Sequence, residues 1–161
     1  MRFSGKEFAF FAKFFAVFFA LELAIHIIPL KWLEVFIAST QAGMLRLESA
    51  GSLIFVEGGT FEITPSCTGL VSAGVLAALV FSLKKPGMRE KIIVFASGTA
   101  LLLIVNYFRV LAVVWSGTFF GAGFAEMLHI VSWFATSAAI LGAWYFFTKK
   151  ISGVKDFSGF L

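Results

Sequence analysis

The chain has 161 residues, 60% of them hydrophobic and only 14% charged, where soluble domains carry about 25% charged residues. A mean hydropathy of +0.95 marks an integral membrane protein, and the length suits one domain over 1–161. The net charge of +4 does not point to nucleic acid, because the cations flank apolar runs; one cysteine and two histidines exclude an internal disulfide, a cysteine-rich metal site and a dithiol oxidoreductase.

The first apolar run, about 8–28, is rich in Phe and Ala. It is long enough to cross a hydrocarbon core of about 30 Å, which takes about 20 helical residues. Its length and lack of a small-residue cleavage site predict a retained span, not a removed leader. Glu22 and His26 lie four apart inside it, on one helix face. An ionisable group there is a functional candidate that should face the bundle. The simpler reading, which we favour, is a Glu22–His26 hydrogen bond that fixes this helix against its neighbours.

Residues 32–45 are apolar but few, and Glu34 and Arg46 frame them, which suits an interfacial or re-entrant helix. The stretch "SLIFVEGGTFEITPS" alternates apolar and polar residues around Gly58-Gly59 and predicts a small β-hairpin. Open strand edges bar a hairpin from lipid, so it belongs at the outer surface, directly before Cys67. Further spans are predicted over about 65–83, 92–108 and 129–147. Residues 110–125 are uncharged but interrupted by Ser116, Gly117, Gly121 and Gly123, and suit an interfacial or re-entrant helix.

Charge arbitrates the count. With four spans and both termini cytoplasmic, the inner segments hold ten cations: Arg2, Lys6, Lys13, Lys84, Lys85, Arg89, Lys91, Lys149, Lys150 and Lys155. The outer segments hold three: Lys31, Arg46 and Arg109. A further span at 110–125 would move the last three lysines outside and weaken this positive-inside bias. The expected fold is an all-α membrane bundle of about four transmembrane helices, with extra interfacial helices and the outer hairpin.

On this topology Cys67, Arg109 and His129 share one membrane depth at the outer face. A thiolate is the reactive form of cysteine. Thr64 as N-cap and Pro65 as first helical residue put Cys67 in a first helical turn, where the helix field favours an anion. Gly69 leaves room for a peptide backbone to approach. A nearby arginine stabilises a thiolate or an oxyanion, and a histidine moves a proton near neutral pH. Asn106, one turn before Arg109, can bond backbone groups or Arg109 itself. Glu126, three before His129, can orient the imidazole or stand as a solvated rim carboxylate.

Each residue alone has an ordinary structural reading: a core-filling thiol, a snorkelling arginine, a satisfied histidine. Their coincidence at one depth points to chemistry. The composition also suits a non-enzymatic membrane scaffold or a transporter subunit, although a transporter gathers its polar groups at the midplane.

"PSCTGL", "NYFRV" and "MLHIVSWF", each at the outer end of a successive span, resemble the exosortase/archaeosortase family. That pattern is a Cys followed by Ser/Thr-Gly, an Asn-x-x-Arg, and a later His or Arg. Here it falls on Cys67-Thr68-Gly69, on Asn106 to Arg109, and on His129, within about 57–147. Thr68 stands where serine is common, and many members have more spans. The resemblance implies a multi-pass cysteine transpeptidase of the cell membrane. Its partners would be exported proteins ending in a short motif, a transmembrane helix and a basic end. It implies Cys67 as nucleophile, Arg109 as electrostatic stabiliser and His129 as acid–base group, with no metal or organic cofactor. The resolving nucleophile would be a lipid head-group amine.

Overall fold

The computed structural model describes residues 5–152; Arg2 and Lys155, counted among the flanking cations, and the side chain of Lys6 lie outside that description. The chain is mostly helical. Helix α1 (Gly5–Ile27) is an unbroken Phe/Ala-rich run that ends just before Pro29, where a proline disfavours further helix. Helix α2 (Lys31–Leu45) closes on Arg46 in the left-handed region, φ 57°, and Leu47 N–H reaches back to the Ala42 carbonyl at 2.9 Å. Three short antiparallel strands follow: β1 (Ser49–Ala50), β2 (Leu53–Val56) and β3 (Gly59–Glu62), in the order β1-β2-β3. The expected hairpin is therefore β2–β3, turning at Glu57-Gly58 with Val56 opposite Gly59, and β1 extends it to three strands.

The expected helix over 65–83 is not continuous. Pro65–Thr68 form a separate 3-10 turn, Gly69 takes φ +85°, and α3 runs only from Leu70 to Ser82. A backbone in the left-handed region cannot continue a right-handed helix, so Gly69 divides the segment. At 13 residues, α3 is shorter than the about 20 that span a hydrocarbon core.

Residues 110–120 are not a separate interfacial helix either. Helix α4 runs unbroken from Met88 to Phe120, through Asn106 and Arg109. The small residues that looked like interruptions serve packing. A Cβ on Gly117 would stand 3.2 Å from Ala125 and 3.5 Å from Val56, so glycine lets β2 and the next helix approach. The Ser116 hydroxyl donates to the Val113 carbonyl of its own helix. Only Gly121, at φ +81°, breaks the run, and α5 (Ala122–Ser152) starts immediately after it. Helices α1, α4 and α5 are long and apolar enough to cross a membrane. Their outward faces carry Phe8, Phe19, Ile104, Phe108, Ile130 and Phe134, all strongly exposed, as a lipid-facing surface requires.

Two buried clusters hold the molecule. One joins α3, α4 and α5 through Leu76, Val80, Val94, Leu102 and Ile140. The other lies under the sheet, where Ile54, Val56 and Ile63 meet Ile37, Ala38 and Ala42 of α2 and Val110 and Val114 of α4. Cys67 belongs to this second cluster.

Candidate active site

The 3-10 turn is fixed by its own hydrogen bonds. Cys67 N–H donates to the Thr64 carbonyl at 2.8 Å, and the Thr68 hydroxyl donates to the Pro65 carbonyl at 2.6 Å. Thr64 does not cap a backbone N–H; its Oγ1 lies 3.5 Å from Cys67 Sγ. Cys67 thus sits in a short turn before α3 and not in the first turn of a long helix, which removes the expected helix-end field. Cys67 is 2% exposed, enclosed within the sheet cluster.

Asn106 is buried and donates from Nδ2 to the Cys67 carbonyl at 2.7 Å. Of its two sequence-level roles, it takes the backbone one. The same side chain closes the space at Gly69, where a Cβ would stand 3.1 Å from Asn106 Nδ2 and from Leu103 Cδ2. Its positive φ and this close contact each call for glycine at position 69.

Arg109 leaves α4 on the side facing α5. Its Nη1 donates to Ser132 Oγ at 3.5 Å, and its Cζ lies 5.9 Å from the Trp133 ring centroid. Its Nε is buried without a hydrogen-bond partner among the described residues. The Ser132 hydroxyl that the guanidinium meets donates in turn to the His129 carbonyl at 2.6 Å, and Asn106, one turn before Arg109 on α4, holds the Cys67 carbonyl. His129 accepts at Nε2 from Trp133 Nε1–H at 3.3 Å, and its ring meets Phe61 edge-on at 5.8 Å. With Nε2 accepting, the neutral ring carries its proton on Nδ1. That atom is buried and has no partner among the described residues. Glu126 is exposed one turn earlier and interacts electrostatically with His129.

The fold therefore brings Cys67, Thr68, Asn106, Arg109, His129 and Glu126 to one end of the bundle. Glu22 and His26 stay apart from them. His26 Nδ1 lies 2.8 Å from the Glu22 backbone carbonyl and 3.8 Å from its carboxylate, with His26 exposed. This is a contact within α1, and it does not tie the helix to a neighbour.

Three participants had no role in the sequence reading. Ser132 and Trp133 follow His129 by three and four, a spacing that places all three on one helix face. Gln41 is fully buried on α2; its Nε2 donates to the Tyr107 carbonyl at 3.2 Å, and its Oε1 has no partner among the described residues.

A thiol, a guanidinium and an imidazole in this arrangement can supply a nucleophile, a cation for developing negative charge and a proton carrier. Among the described residues no group of three metal-ligating side chains gathers. No curated protein and no solved structure matches the chain. A family model described as Transmembrane exosortase (Exosortase_EpsH) matches residues 3–146, a stretch that includes every candidate site residue. With that match across most of its length, the chain belongs to the transmembrane exosortase family.

Proposed function

We propose that this chain is a membrane cysteine transpeptidase that cleaves the C-terminal sorting tail of an exported protein and transfers the protein to an acceptor. One observation carries the reading: α4 bridges the thiol and the imidazole, since Asn106 donates to the Cys67 carbonyl while Arg109, one turn on, bonds Ser132, whose hydroxyl donates to the His129 carbonyl. His129 takes the Cys67 thiol proton, the resulting thiolate attacks the scissile carbonyl, and Arg109 stabilises the oxyanion that forms. The intermediate collapses to a thioester as the C–N bond breaks, and His129 gives a proton to the departing amine. An acceptor amine, for which a lipid head group is the natural source, then attacks the thioester. It forms a new amide and releases the thiol, with His129 taking the acceptor's proton.

The site belongs at the extracytoplasmic surface, with both termini in the cytoplasm, on which reading the 3-10 turn and α3 together, residues 65–82, make the fourth crossing beside α1, α4 and α5. Arg89 to Arg109 and His129 to Lys149 each cover about 20 residues, or about 30 Å of helix. Lys84, Lys85, Arg89, Lys91, Lys149 and Lys150 then lie at the opposite end, as the positive-inside rule requires. Because the sulfur is enclosed, the 3-10 turn between Thr64 and Gly69 yields as the substrate docks.

The test is cleavage of a co-produced exported reporter carrying a motif–helix–basic tail, per unit of membrane-inserted enzyme. Cys67→Ala should lower it by at least about a thousandfold, as loss of a catalytic nucleophile does, while the protein still inserts. Continued processing by that variant would reject the transpeptidase reading.

A further inference from the structure

Strand β3 is the last of the sheet, so one of its edges has no strand partner. The register identifies the groups on that edge. Ile63 N–H donates to the Ser52 carbonyl at 2.8 Å, and antiparallel pairs alternate between bonded and non-bonded. Phe61–Ile54 and Gly59–Val56 are therefore the bonded pairs. On the other side of β2, Phe55 N–H reaches the Glu48 carbonyl at 3.0 Å, which sets the same phase. The N–H and C=O of Thr60 and Glu62 consequently point away from the sheet, and no backbone partner meets them among the described residues.

Both residues are exposed, and both line a cleft of 310 Å³. Its opposite wall is the start of α5, with Ala122, Gly123, Glu126 and His129. Phe61 lies between the walls, against His129. A Cβ on Gly123 would meet nothing within 4 Å, so the wall is open there.

We infer that this cleft docks the sorting segment of the exported protein in extended form, as a fourth strand on β3. The inference rests on the transpeptidase reading and names its substrate-binding surface. Thr60 and Glu62 offer outward amide groups two residues apart, about 7 Å, which is the repeat of an added strand. A peptide satisfies those groups; an acyl chain cannot. In this mode main-chain pairing supplies affinity, and the alternate side chains facing His129 and α5 supply selectivity. Beyond Glu62 the chain passes through Ile63 and Thr64 into the turn that holds Cys67. A peptide laid along β3 is thereby led toward the thiol.

Disulfide trapping tests this without requiring catalysis. In full-length Cys67→Ala protein, which then has no other thiol, Thr60→Cys is combined with a reporter bearing the tail of an exported protein from the same genome. A single cysteine is walked along the reporter segment before its helix. Bonded strand pairs hold their Cα atoms about 5.5 Å apart, within disulfide range. Adducts are expected at one position and, more weakly, two residues to either side, with the intervening positions silent. A helical repeat of three to four, or no adducts, overturns the inference. In Cys67-containing protein, Thr60→Pro removes one outward N–H and leaves the β2 ladder intact. It should lower reporter cleavage at least tenfold. Ser49→Pro, at the matching outward position on the opposite sheet edge, should cleave as the parent does; equal cleavage by the two variants overturns strand addition. If the alternating adducts form while Cys67→Ala still cleaves, docking stands and the nucleophile assignment falls. If cleavage needs Cys67 but the adducts are absent, docking alone falls.

Discussion

The two buried clusters are made of different materials. The buried members of the helical one, Leu76, Val80, Val94, Leu102 and Ile140, are all aliphatic, with Phe95, Trp144 and Phe147 packed at its edge. The one under the sheet encloses a thiol and borders two buried amides, Gln41 and Asn106. Lipid tails are as apolar as leucine, so helices in a membrane gain little from burying apolar surface and associate through close packing. Gly98 illustrates this: a Cβ there would stand 2.6 Å from Leu76 Cδ2, so the buried Leu76 side chain fits against α4 where glycine leaves it space. The sheet cluster is tied instead by hydrogen bonds between distant segments, Asn106 to Cys67, Gln41 to Tyr107 and Arg109 to Ser132. Shape holds the bundle, and directional bonds hold the chemistry.

The sharpest test of this division lies at Arg109. Arg109→Lys keeps the charge but cannot reproduce a planar fork that contacts Ser132 and faces Trp133. Cleavage per inserted molecule should fall about a hundredfold, comparable to loss of an oxyanion donor. Near-parental cleavage would mean that point charge alone suffices and that the directional contacts are structural. Leu76→Ala probes the other cluster. It should reduce stability by about 2–5 kcal/mol, the cost of a buried leucine cavity, measured by unfolding in detergent micelles. Turnover per folded molecule should stay the same; if it falls in step, the two clusters are not separable. The smallest effect is expected on α1. Glu22→Gln should change stability by less than about 1 kcal/mol, because His26 already has the Glu22 backbone carbonyl, and reporter cleavage should be retained. Paired measurements on His26→Ala and His129→Ala sharpen the point. A dead His26 variant beside a normal His129 variant would move the proton carrier onto the first helix.

Long apolar runs made α1 and α5 legible in the sequence, and α2 was readable to within a residue. Glycine was not legible in the same way. Gly69 looked like part of a span and breaks it; Gly117 looked like a break and lies inside α4. The residue type is identical, and the difference is φ together with what stands next to the Cα. Those are set by Asn106 and Leu103 in one case and by Ala125 and Val56 in the other, partners far along the chain from Gly69 or on another element. The convergence of Cys67, Arg109 and His129 was expected from a four-span count, and the structure brings the three together although α3 is shorter than a span. The partners of the last two, Ser132 and Trp133, were readable at helical spacing from His129. Gln41 was not, because nothing local shows that α2 packs against Tyr107.

The enclosure of Cys67 also bears on oxidation. A thiol facing an oxidising compartment is open to sulfenic acid, and a neighbouring thiol is the usual rescue, converting it to a reducible disulfide. This chain has no second cysteine. An exposed Cys67 would therefore progress toward the irreversible sulfinic and sulfonic acids. Cys67 is 2% accessible and shares a buried cluster with Ile37, Val110 and Val114, so under the proposed function this enclosure keeps peroxide from the thiol between turnovers. The aliphatic wall performs the protection that a resolving cysteine provides elsewhere.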